Sequence, residues 1–155
     1  MHYVNQLTPF TCGLACIESV ATDFNIQTSQ AKLLVDYKHQ LLADARKLGD
    51  FGSASPTMMT VIWQALGIKG QWLQDHNVPD FRQNVLATLN HNREAILFFA
   101  DFQKNGWHCI RFEALDGQNG IKVMVPVFQH ATALPMTITG QDLVDWGFFY
   151  AKLTH

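Results

Sequence analysis

The chain is 155 residues long, 48% hydrophobic and 15% charged, a balance that favours one packed globular domain over residues 1–155 and excludes a disordered chain. The formal net charge is −2, and Lys32, Lys38, Arg46 and Lys47 are diluted along one segment, so no basic stripe is present to hold a nucleic acid. No run approaches the roughly 20 apolar residues of a membrane span.

Taken in order, the first helix is expected from Cys12 to Phe24, with Leu14, Ile17, Ala21 and Phe24 on one face. Thr11 is its predicted N-cap, and Asn25 its stop. A second helical stretch opens near Thr28-Ser29 and carries Leu34, Leu41, Ala45 and Leu48 on one side, until Gly49-Asp50-Phe51-Gly52-Ser53 breaks it. Ser55-Pro56 is a cap followed by a first-turn proline. It starts a helix that uses Met58, Met59, Ile62 and Leu66 and ends at Gly67. A short helix after Pro79 places Phe81, Val85 and Leu89 in register.

From there the period changes. Ala95 to Ala100 is a continuous apolar run, the pattern of a central strand buried on both faces. Trp107 to Ala114 and Ile121 to Val125 read as two further strands, joined by the turn residues Asp116-Gly117-Gln118-Asn119-Gly120. Thr139 caps a short helix through Trp146, and Phe148 to Leu153 closes as a strand. Helices first and mostly antiparallel strands afterwards make the expected class α+β.

Three residues form a chemical set. Cys12 follows a helix cap directly, where the positive end of the helix dipole favours the thiolate, the nucleophilic form. An isolated cysteine is by default a small buried hydrophobe, and Cys16, one turn further in, is assigned that role. Gln6, six residues before Cys12, offers an amide donor for an oxyanion, and His108 offers an imidazole base working near neutral pH. The seven histidines show no ligand spacing, so neither a metal nor another cofactor is expected. Met58 and Met59 are read as core fillers, and Trp63, Trp72, Trp107 and Trp146 as packing residues, with Trp107 also able to wall a cleft beside His108. Three cysteines cannot all pair and form no C-x-x-C. With no basic head or apolar run at the start of the chain, they point to a cytoplasmic protein, or one exported without a cleavable signal.

The segment from Gln6 to Cys16, Gln-Leu-Thr-Pro-Phe-Thr-Cys-Gly-Leu-Ala-Cys, resembles the nucleophile motif of the bacteriocin-processing peptidases. These are papain-like domains that cut double-glycine leader peptides at the front of peptide-exporting ABC transporters. Cys12-Gly13-Leu14-Ala15-Cys16 also resembles the related guanylyl-cyclase-domain-containing proteins. The likeness continues through Gly52-Ser53 and Ala65-Leu66-Gly67, through Ala95 to Phe99 and Gly106-Trp107-His108-Cys109-Ile110, and into Thr139 to Leu153. It implies a papain-like cysteine peptidase fold, N-terminal helices packed on a mostly antiparallel sheet. It also implies Cys12 as nucleophile, His108 as base, Gln6 as oxyanion-hole residue, and a peptide or protein substrate.

One departure stands out. Where the family has Asp-Pro, whose Asp orients the imidazole, this chain has Val125-Pro126, and a valine side chain accepts no hydrogen bond. Asp116 lies in a hairpin turn remote from His108, Gln129 and His130 follow nearer by, and a backbone carbonyl or a water can also hold the second ring nitrogen. The expected function is therefore cysteine hydrolysis of a peptide or other amide bond. The alternatives are a glutamine deamidase or acyl-transfer effector on the same fold, or a degenerate peptidase-like domain that binds cargo without cutting. With no transporter segment in the sequence, leader processing is expected less than action on a protein partner.

Overall fold

The computed structural model describes residues 1–48, 54–74 and 77–155. Its helices are α1 (Cys12–Asp23), α2 (Gln30–Asp36), α3 (Lys38–Leu48), α4 (Pro56–Ala65), α5 (Val78–Phe81) and α6 (Gly140–Trp146). Its strands are β1 (Trp72–Leu73), β2 (Glu94–Asp101), β3 (Trp107–Asp116), β4 (Gly120–Val125), β5 (Leu134–Thr139) and β6 (Phe148–Thr154). They form one sheet in the order β1-β6-β2-β3-β4-β5, with every neighbouring pair antiparallel. None of the described helices is long and apolar enough to cross a membrane.

Alternation along the strands divides the core into two. Ala95, Leu97, Phe99, Cys109, Met124, Ala151 and Leu153 face α1 and α4. Ile96, Phe98, Ala100, Ile110, Phe112, Val123 and Tyr150 face the other way, under Phe81, Leu86 and Leu143. β2 is buried along its middle six residues, as its unbroken apolar run requires of a strand covered on both sides.

Helix α1 ends one residue before the expected Phe24. Asn25 adopts a left-handed conformation at φ 59°, while the amides of Asn25 and Ile26 turn back to Thr22 and Ala21, so the stop is a Schellman-type cap. The other end departs from expectation. Thr11 precedes α1 but makes no side-chain cap, because its hydroxyl accepts from the Thr8 amide at 3.0 Å instead and closes the turn before the helix. The second helical stretch is two helices. Ser29 caps α2 through the Lys32 amide, and the chain breaks at Tyr37, whose φ of −114° and ψ of 18° are not helical. Leu33 is the buried apolar residue of α2, beside the buried Gln30, and Leu34 and Leu41 are half-buried. The side chains of Ala45 and Leu48, and the break at Gly49–Ser53, lie outside the described residues.

α4 has the expected Ser55 cap at 3.1 Å from the Met58 amide, with Pro56 in its first turn, and Gly67 beyond it sits at φ 80°. α5 starts one residue before Pro79 and continues as a wider π turn over Arg82–Leu86. That extra residue per turn slides the register, so Leu86 joins Phe81 in the core while Val85 and Leu89 are half-buried. The β3–β4 hairpin is present, with Asp116 opposite Gly120. The strand β5 was not expected, because Pro135 interrupts its apolar pattern; it lies at the sheet edge, where a residue without an amide hydrogen is tolerated.

Candidate active site

Helix α1 lies along β3, and three successive contacts set its position. The Cys12 thiol is hydrogen-bonded to the His108 ring. One turn on, Cys16 Sγ donates to the Cys109 carbonyl at 3.5 Å. At the far end Arg111 pairs with Asp23 at 2.7 Å and donates to Ser19 Oγ at 2.6 Å. The contacts advance along the strand from residue 108 to 109 to 111 as they advance along the helix from 12 to 16 to 19 and 23, so helix and strand run together. The first residue of α1 thereby meets the second residue of β3.

His108 Nε2 lies 2.8 Å from the carbonyl oxygen of Pro126. A carbonyl only accepts, so Nε2 carries a hydrogen and donates it, which leaves Nδ1 for the thiol. Burial pushes the His108 pKa down. The hydrogen bond and charge attraction of Cys12, with the Pro126 carbonyl, outweigh it and hold the imidazole above its ordinary value. At the place where an Asp was missed, the main chain one residue later does the orienting. Asp116 is at the opposite end of β3 and accepts from Thr137. Gln129 and His130 are both exposed, and neither is the group that His108 Nε2 meets.

The Pro126 carbonyl is itself held. Asn5 Oδ1 accepts from the Val127 amide at 2.7 Å, and Asn5 Nδ2 donates to the His130 carbonyl at 2.7 Å, so one side chain grips both ends of the segment that follows Pro126. Gln30 on α2 grips the next residues of the same N-terminal stretch. Its amide donates to the Asn5 carbonyl and its oxygen accepts from the Leu7 amide at 3.1 Å. These two bonds bracket Gln6 and fix its backbone as a strand partner would. The sequence reading missed Asn5 and Gln30; the only signal was a glutamine at the first, core-facing position of a helix.

Gln6 is 7% exposed. One N–H of its side chain donates to the Thr8 carbonyl at 2.9 Å, and its oxygen is buried without a hydrogen-bond partner. Gln6 and His108 border the same open cleft of about 270 Å3, with Phe102 and Phe128 among its outer walls. Cys12 is 1% exposed and does not line that cleft. Trp107 does not line that cleft either: it stacks on Phe99 with ring centroids 5.4 Å apart and packs near Phe149. Trp63, Trp72 and Phe99 continue that aromatic row into the core.

All three cysteines are reduced and buried. Burial, followed by the hydrogen bond and charge of Cys16 and the charge of Cys12, holds the Cys109 thiol well above the ordinary range, so Cys109 stays protonated and inert. Among the described residues no group of three or more His, Cys, Asp or Glu could hold a metal ion.

No family model matches the sequence, and no curated protein does. Among solved structures the chain is similar to a double-glycine-motif protease from an AMS/PCAT transporter, determined in complex with the leader peptide. The TM-score is 0.67 at 10% identity, over 99% of this chain and 91% of that one. It is also similar to the peptidase domain of Streptococcus ComA, a bifunctional ABC transporter involved in a quorum-sensing pathway. There the TM-score is 0.67 at 17% identity, over 99% and 98% of the two chains. At such identities the likeness speaks for architecture: the chain has the papain-like cysteine peptidase fold of the double-glycine peptidase domains.

Proposed function

We propose that the protein is a cysteine hydrolase that cleaves a peptide or related amide bond. Cys12 is the nucleophile, His108 the general base and acid, and Gln6 the oxyanion donor. The observation that carries this reading is the His108 ring, bonded to the Cys12 thiol on one side and to the Pro126 carbonyl on the other. An imidazole fixed at both nitrogens takes the thiol proton in a defined direction. The sulfur attacks the substrate carbonyl, the imidazolium returns its proton to the departing nitrogen, and water then releases the acyl group. Gln6 has a second N–H beyond the one on Thr8, and that hydrogen is the donor for the developing oxyanion. A fold neighbour that holds a leader peptide supports a peptide as the substrate.

The burial of Cys12 favours a second reading, a peptide-binding module whose thiol never meets substrate. One measurement separates the two: the pH dependence of Cys12 alkylation by iodoacetamide, followed by peptide mass mapping, in the parent and in His108→Ala. The hydrolase reading expects fast labelling at pH 6 that collapses in the variant, because the thiolate there depends on its imidazolium partner. Labelling that rises only above about pH 8.5, the range of an unassisted thiol, and that ignores the substitution would leave the binding module.

A further inference from the structure

We propose that the open cleft beside His108 is the leaving-group subsite of this hydrolase, and that it selects an apolar residue directly after the scissile bond. The inference rests on the reading of His108 as the proton donor to the departing nitrogen. With Nε2 taken by the Pro126 carbonyl, the proton leaves from Nδ1, so the departing nitrogen must sit against that atom. Whatever that nitrogen carries extends into the space the imidazole borders. That space is the cleft of about 270 Å3, which Gln6 and His108 both line. Cys12 does not line it, so the acyl part of the substrate, which ends up on the sulfur, lies elsewhere.

The chemistry of the walls sets the class of occupant. Phe102, Val125, Val127 and Phe128 supply its apolar surface, and no Lys, Arg, Asp or Glu is among the described residues that line it. Phe128 is 37% exposed, and the Phe102 ring lies 6.0 Å from the imidazole. An aromatic or aliphatic side chain entering here loses water against apolar walls, whereas a carboxylate would be desolvated without a partner. The size argues in the same direction. A deamidase expels ammonia, a molecule of about the roughly 30 Å3 of a water, and has no use for a cleft of this volume.

The subsite can be tested without knowing the natural substrate, because an amine that attacks the acyl-enzyme enters from the side by which the leaving group departs. p-Nitrophenyl acetate acylates Cys12: the C–S bond forms as the acyl C–O bond breaks, p-nitrophenolate departs, and the imidazolium gives its proton to water. An amino-acid amide then competes with water. Its nitrogen forms the new C–N bond, the C–S bond breaks, and the amine proton passes to the imidazole, restoring the thiolate–imidazolium pair. Leucinamide and phenylalaninamide should capture the acetyl group about tenfold better than glycinamide, the order of discrimination an apolar pocket gives. The α-amide of aspartic acid should do no better than glycinamide.

In Phe128→Ala and in Phe102→Ala the ratio should fall towards that of glycinamide. It is a ratio of products within one sample, so a lower yield of acyl-enzyme does not disturb it. Acylation with no preference among the amides, or a preference that survives both substitutions, would overturn the subsite and leave the hydrolase standing. Absence of any p-nitrophenol release that depends on Cys12, with Cys12→Ser as control, would overturn the hydrolase reading and the subsite with it.

Discussion

His108 is the residue on which the site turns, and its charge reaches beyond catalysis. Its folded pKa is raised above the ordinary value of 6.5, since Cys12 and the Pro126 carbonyl outweigh the opposing effect of burial. For a raised group the folded state binds the proton more tightly than the unfolded chain. The stability this adds is fully present below about pH 6.5, the unfolded value, and is lost as the pH climbs through the folded value above it. His108→Ala removes that slope, so a plot of Tm against pH above 6.5 should be flatter in the variant than in the parent. Parallel curves would mean that the histidine is not held in its charged form. Of the three residues picked from the sequence, Cys12 and His108 are bonded to each other, and Gln6 and His108 share a cleft. What the sequence could not show is the partner of Nε2, because a main-chain carbonyl belongs to every residue type and leaves no letter to read.

Among elements, the segment after β4 and the N-terminal stretch depend on each other through Asn5. Its two bonds of 2.7 Å fix the course of the chain from Val127 to His130, and hence the direction of the Pro126 carbonyl. Asn5→Ala should slow Cys12 alkylation at pH 6 by about fivefold, the effect of one hydrogen bond of about 1 kcal/mol. Asn5→Asp, which keeps the acceptor for the Val127 amide, should lie between the parent and Asn5→Ala. An unchanged labelling rate in Asn5→Ala, with the fold intact by circular dichroism, would reduce Asn5 to a loop staple. The elements that the sequence showed clearly were those with local signals: the Ser55 cap, the apolar run of β2, and the cap at Thr139, which the structure extends to a capping box with Asp142. Where long-range pairing decides, the letters misled. β5 exists because its backbone completes the edge of the sheet beside β4, in spite of Pro135. The hydroxyl of Thr11 found a nearer partner in Thr8 than in the first turn of α1.

At the scale of the molecule, the helical layer is registered on the sheet by the rungs between α1 and β3. The outermost is an ion pair with Arg111 4% exposed. Burial lowers the Arg111 pKa, and Asp23 opposes that shift, so the guanidinium depends on its partner. Asp23→Ala leaves a buried guanidinium without its counter-charge and should cost about 3–5 kcal/mol in urea unfolding. Replacing both residues by leucine should recover most of that. If Asp23→Ala costs under about 1 kcal/mol, water reaches the guanidinium and the rung is not a joint. The α+β class and the order of helices before strands were legible from periodicity alone. That α1 lies along β3, so that position 12 reaches position 108, was not: it follows from contacts between residues far apart in the chain.

An orienting group made of main chain has a consequence for how this site tolerates change. A carboxylate in that place would be lost by a single substitution, and it would titrate in acid. A carbonyl does neither. What His108 needs from position 126 is the path of the backbone; its side chain is answerable only to the buried place and the cleft wall that the proline ring fills. The fragility has moved to position 5, more than a hundred residues away in the chain, where one amide holds the frame on which the carbonyl hangs.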